Sequence, residues 1–141
     1  MLDILEDFGV LLDYPYTDLS SHTRSCADRL AAVDPEAADG LRRFADFTEA
    51  VSPGRLEEIY TATFDINPAC YIYAGYILFG ESFKRGKFLV WLQEKYRERG
   101  FSYERELADH IPVMLHFLAT LAPDELLAAQ LTHNCLLPVL D

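Results

Sequence analysis

Residues 34–68, DPEAADGLRRFADFTEAVSPGRLEEIYTATFDINP, carry the reading that decides the fold class. Asp34-Pro35, Ser52-Pro53 and Asn67-Pro68 each put a short polar side chain directly before a proline. A polar N-cap accepts from the first free N–H groups of a helix, and proline at N1 lacks an N–H that would be unpaired there in any case. Residues suited to packing follow at helical spacing: Ala38, Leu41, Phe44, Ala45 and Thr48 after the first start, then Leu56, Ile59, Tyr60 and Phe64 after the second. Three such starts with short connections point to an all-α bundle.

Upstream, Leu2, Leu5, Phe8, Gly9 and Leu12 line one face of a first helix, which stops at Asp13-Tyr14-Pro15-Tyr16 because proline disfavours helical geometry at the residue before it. Leu19, His22, Cys26 and Leu30 mark a second helix, with Thr17 or Asp18 as its cap. Downstream, Ala69 to Phe79 is apolar around its whole circumference and is expected to be the buried central helix, with Tyr71, Tyr73 and Tyr76 needing hydroxyl partners. Ser82 opens a long helix through Tyr96 that ends at Gly100. The last helices are expected from about Leu107 to Leu121 and from Pro123 onward. The expectation is one domain over residues 1–141, with about seven to eight helices.

Composition narrows the function classes. Half of the 141 residues are hydrophobic, enough to offset ordering entropy, so disorder is excluded. The net charge of −11 disfavours nucleic acid and anionic membrane surfaces and suits a basic partner. The acidic N-terminus lacks the basic stretch of a signal peptide, and the longest uncharged run, Ile66 to Gly80, is too short to span a bilayer. Cys26, Cys70 and Cys135 are odd in number and far apart, signalling neither a disulfide framework nor a zinc site. His22, His110, His116 and His133 are scattered, and no phosphate loop or nucleophile motif occurs. The reading is of a non-enzyme that carries no cofactor of its own.

The most informative local pattern is Glu106-Leu107-Ala108-Asp109-His110-Ile111-Pro112. In a helix that already includes Glu106, positions 106, 109 and 110 share a face that Val113 and Phe117 continue. Two carboxylates, an imidazole and two apolar side chains would suit a peptide bearing arginine and hydrophobic residues, since carboxylates accept charge-assisted bonds from guanidinium. The competing reading is a helix start, where the dipole favours Glu106 and Asp109.

Tyr60-Thr61-Ala62-Thr63-Phe64-Asp65, Gly80-Glu81-Ser82-Phe83-Lys84-Arg85-Gly86 and Glu106-Leu107-Ala108-Asp109-His110-Ile111-Pro112 occur in that order. Together with Tyr96, Gly100 and Leu115-His116-Phe117-Leu118-Ala119, they resemble the nitrate reductase delta subunit (NarJ-type) chaperones, relatives of the TorD/DmsD redox-enzyme maturation proteins. The similarity is strong from about Tyr60 to Leu121; before it, only Leu11-Leu12-Asp13-Tyr14-Pro15 is typical. Ala108 departs from the pattern, standing where a proline is common.

The resemblance implies a cytoplasmic all-α chaperone that binds the basic or twin-arginine-like N-terminal peptide of a molybdopterin-dependent catalytic subunit, a nitrate reductase alpha subunit or a relative. It would assist molybdenum cofactor insertion before assembly, without membrane insertion; a structural subunit retained in the mature complex is the alternative. It carries peptide recognition onto Glu106, Asp109 and His110. Val113, Phe117, Tyr71 and Tyr76 are expected to complete a groove between the central helix and the Glu106-to-Phe117 helix. Asp65, Gly80, Arg85 and Gly86 are expected to shape turns. Removing both Glu106 and Asp109 is expected to weaken binding without unfolding the protein. The chain stops at Asp141 within Leu136-Leu137-Pro138-Val139-Leu140, where relatives continue with further helices, so a C-terminally shortened fold is expected. Those exposed apolar residues would then favour a homodimer.

Overall fold

The computed structural model describes residues 2–141. These are helical throughout, apart from loops and one isolated antiparallel bridge between Tyr73 and His110. The chain divides after Cys70 into two compact units.

The first unit holds α1 (Leu2–Leu12), α2 (Leu19–Leu30), α3 (Pro35–Ala50) and α4 (Pro53–Phe64). Local chemistry sets their starts. Asp18 accepts from the amides of Ser20 and Ser21 at 3.1 and 3.3 Å, so it, not Thr17, caps α2. Asp34 accepts from Ala37 N at 3.0 Å and Ser52 Oγ from Arg55 N at 3.3 Å, each with proline at the first helical position. Each such cap contributes about 1 kcal/mol.

Small buried residues, Ala38, Ala45 and Thr48 on α3 and Thr23, Cys26 and Ala27 on α2, let these two helices pack side by side. Asp7, buried on α1, is paired with Arg29 of α2. Phe44 was expected in the core but is exposed on one side, where it lines an apolar cavity of about 360 Å³ with Phe8, Leu41, Leu56 and Ile59.

The third proline start fails. Asn67 has φ +50°, in the left-handed region, so no helix begins at Pro68. The Cys70 amide instead folds back onto the Thr63 carbonyl at 3.0 Å.

The second unit holds α5 (Ala74–Phe79), α6 (Phe83–Glu98), α7 (Ile111–Ala119), α8 (Leu126–Gln130) and α9 (Leu137–Leu140), with a π-helical turn, Leu131–Leu136, joining the last two. The expected buried central helix over 69–79 is corrected: only Ala74–Phe79 is helical, and Ile77 and Phe79 are exposed. Ile72 and Tyr73 stay outside the helix because the backbone groups of this segment are taken by a distant partner. The Ile72 carbonyl accepts from Ile111 N at 2.9 Å, and Ala74 N donates to the Asp109 carbonyl at 2.8 Å.

The helix buried around its circumference is α7, which hides Ile111, Pro112, Val113, Met114, Leu115, Phe117 and Leu118. Burial of each large apolar side chain there contributes about 1.5–3 kcal/mol. It starts at Ile111, later than the sequence suggested, with Pro112 in its first turn. In the π-helical turn, Leu131, Cys135 and Leu136 are all buried.

Candidate functional site

In the second unit the loop ahead of α7 meets the segment around α5 and the start of α6. Tyr96, on the last turns of α6, is wholly buried and donates its hydroxyl to the Ala108 carbonyl at 2.7 Å. Burial pushes its phenol far above the ordinary tyrosine range, so it remains a neutral donor. Its ring packs on Phe117 at 4.6 Å, which anchors the loop to α7.

That anchoring delivers Asp109 into the interior. Its side chain has 0% exposure, and both oxygens are engaged. Oδ2 accepts from Gly75 N at 3.1 Å and Arg85 Nε at 3.0 Å, while Oδ1 accepts from Arg85 Nη2 at 3.3 Å. A buried carboxylate needs such pairing, because an unpaired charge in a low-dielectric interior is strongly unfavourable. Arg85, 20% exposed, has its guanidinium carbon 5.7 Å from the Tyr73 ring centre and 5.8 Å from that of Tyr76. These are cation–π distances on two aromatic rings.

Around this pair, Tyr73 donates its hydroxyl to Glu106 Oε2 at 2.5 Å, and its ring lies 5.3 Å from that of His110. Tyr71 is 51% exposed and packs its ring against that of Tyr76, tilted by 43° with centroids 4.6 Å apart. A hydrogen bond with Tyr71 raises the Tyr76 phenol above its usual range. The outcome is a tyrosine-rich face with a half-exposed carboxylate, Glu106, and a cation held in place by a carboxylate beneath it.

The structure therefore brings Tyr71, Tyr76, Arg85, Glu106, Asp109 and His110 together, but not as one exposed helical stripe. Glu106 lies in the loop before α7, and Asp109, His110, Val113 and Phe117 are buried. The expected stripe fails because the loop spends its backbone groups on residues 72–74 and turns the Asp109 side chain inward.

Gly80 has φ +66° at the C-terminal end of α5, a conformation that favours glycine. Gly86 is inside α6 with open space around it, so it shapes no turn; Arg85 also lies on α6, and its partner is Asp109. Asp65 is the C-terminal cap residue of α4 in the first unit.

Sequence reasoning missed Gly75 and the part played by Tyr73. A Cβ at Gly75 would lie 2.5 Å from Asp109 Oδ2 and 3.0 Å from Phe88 Cδ1. The available signal was a lone glycine in a run of bulky apolar residues, which often marks close backbone approach. Among the described residues no cluster of His, Cys, Asp and Glu could hold a metal ion, and no helix is long and apolar enough to cross a membrane.

The family model for the nitrate reductase delta subunit matches residues 29–137. A Bacillus subtilis protein named for NarJ is 38% identical over 80 residues, covering 56% of this chain and 44% of that protein. The nitrate reductase molybdenum cofactor assembly chaperone NarJ of Escherichia coli K12 is 31% identical over 119 residues, covering 82% of this chain and 50% of the relative. The chain thus spans about half the length of these curated relatives. A crystal structure described as a redox enzyme maturation protein from Archaeoglobus fulgidus superimposes with a TM-score of 0.62 at 26% identity, covering 84% of this chain and 70% of that one.

Proposed function

Because the chain belongs to the nitrate reductase delta subunit family, we propose that it is a cytoplasmic assembly chaperone for a molybdopterin-dependent oxidoreductase. It binds the N-terminal peptide of the catalytic subunit, a nitrate reductase alpha subunit or a relative, and keeps that subunit open while molybdenum cofactor is inserted. The cofactor is cargo for the client.

The observation that carries the reading is the tyrosine face at Tyr71, Tyr73 and Tyr76 with Glu106 beside it. Aromatic rings desolvate apolar side chains at little cost in conformational freedom, and a half-exposed carboxylate accepts charge-assisted bonds from lysine or arginine. The net charge of −11 steers a basic peptide toward the chain from a distance. Contacts are assigned to Tyr71, Tyr76 and Glu106, with His110, Val113 and Phe117 as the buried support beneath them.

The test is recovery of the tagged chain from its host under conditions that induce the oxidoreductase, read by mass spectrometry. Enrichment of one molybdopterin-dependent catalytic subunit in its cofactor-free form is the expected result. Stoichiometric recovery with the loaded, fully assembled complex would establish a structural subunit instead. Recovery of neither would remove the chaperone reading.

A further inference from the structure

The Arg85–Asp109 pair has the form of a ligand in its site. Asp109 grips the guanidinium by a fork, with Nε on Oδ2 and Nη2 on Oδ1, and the rings of Tyr73 and Tyr76 flank it at 5.7 and 5.8 Å. A forked carboxylate and aromatic faces are what recognises a guanidinium and discriminates against a lysine ammonium. We infer that Asp109, Tyr73 and Tyr76 form a guanidinium-binding site which the chain's own Arg85 fills, and that an arginine of the bound peptide enters it by displacing Arg85. The source of that arginine rests on the chaperone reading above; the chemistry of the site does not.

Three observations make the exchange feasible. Asp109 does not depend on Arg85 for its position: its carbonyl accepts from Ala74 N at 2.8 Å, its Oδ2 accepts from Gly75 N, and Ile111 N is tied to the Ile72 carbonyl. Arg85 sits in the first turn of α6, where Phe83, Lys84 and Gly86 are exposed, as are Glu81 and Ser82 just before the helix, so its long side chain can swing into water without moving the helix. Tyr71, half exposed and packed at a tilt against Tyr76, extends the aromatic surface outward to where an incoming side chain would first land.

The physical argument is that a like-for-like exchange never leaves the buried carboxylate unpaired. A buried ion pair is seldom the most stable way to fill an interior, and its best-attested use is in register or switching. Here Arg85 acts as an internal competitor: it keeps Asp109 neutralised while the peptide is absent and sets a threshold that only a guanidinium passes.

The experiment uses the full chain as wild type, Arg85→Ala and Arg85→Lys, titrated calorimetrically with N-acetyl-arginine methylamide and with its lysine counterpart. With Arg85 in place about nine times in ten, its removal raises affinity for the arginine compound by about tenfold. That gain, absent for the lysine compound, is the expected result. Equal or weaker binding by Arg85→Ala, or equal gains for both compounds, would overturn the inference. If Arg85→Ala does not fold, Arg85→Lys keeps the charge but loses the fork; it should also bind the arginine compound more tightly than wild type, and unchanged affinity would overturn the proposal. Failure of the chain to capture any catalytic subunit would remove the chaperone reading while leaving this titration to stand.

Discussion

The backbone amide of Gly75 donates to Oδ2 of Asp109 over 3.1 Å, so close that a Cβ at position 75 would lie 2.5 Å from the same oxygen. The neighbour cannot retreat, since the Asp109 carbonyl accepts from Ala74 N and the Ile111 amide is tied to the Ile72 carbonyl. Gly75→Ala is therefore expected to cost about 2–4 kcal/mol, although alanine is the better helix former. Urea unfolding of the two proteins checks this. A difference under about 0.5 kcal/mol, the usual range for an unconstrained site, would contradict the packing described.

The two carboxylates of the Glu106-to-Pro112 segment should now separate in their effects. Asp109→Ala removes the partner of the Arg85 guanidinium and leaves the buried Gly75 amide without its acceptor, and should destabilise by about 3 kcal/mol. Glu106→Ala loses only the bond from Tyr73, about 1 kcal/mol, while weakening a basic client peptide by about tenfold. Thermal unfolding and calorimetric binding of both single variants provide the comparison. The double variant expected from the sequence to stay folded is a poor probe, because one of its two changes falls in the interior. A stable Asp109→Ala would show the burial to be wrong.

Thiol reactivity should divide the three cysteines. Burial raises the thiols of Cys26 and Cys135, with Asp7 adding to the effect at Cys26, and the thiolate is the reacting species. Cys70 is exposed. At mildly alkaline pH a disulfide reagent should modify one thiol per chain quickly and two slowly, with all three fast after unfolding. A native protein with three fast thiols would rule out this arrangement.

Acid stability should depend on Asp18. Hydrogen bonds from Ser21 and Ser20 hold its carboxyl below the ordinary value of 3.8. With a folded pKa below the unfolded one, its contribution is complete above the unfolded value and disappears as pH falls through the folded one. Asp18→Asn keeps a capping oxygen but cannot titrate, so its stability should fall less steeply than wild type below about pH 4. Denaturation series across that range, giving parallel curves, would remove Asp18 from the acid response.

Much of this molecule could be read locally. The starts of α3 and α4 were legible because Asp34 and Ser52 cap the helices they precede. Asn67 carries the same signal, yet its left-handed backbone ends one segment without beginning another. The loop before α7 was misread as helix because what decides it lies far along the chain: Ile72 and Ala74 take its backbone bonds, and Tyr96 takes the Ala108 carbonyl. Gly75 was invisible as a site residue for the same reason, its partner standing 34 positions away. The three tyrosines made residues 69–79 look uniformly apolar, whereas Tyr71 is half in water and Tyr73 serves Glu106.

The π-helical turn between α8 and α9 acts as a vernier on the chain. An α-helical path advances about 100° per residue, so Leu131 and Leu136 would diverge by about 140° on it. The wider turn instead stacks residues five apart, which lets both leucines face inward with Cys135 between them. Everything after Leu136 inherits that offset. Removing a single residue here could leave the helix unbroken yet rotate α9 about its axis by about 100°, turning both Leu137 and Val139 to new faces, so the phase of the C-terminal segment is encoded in a length, not in any one side chain.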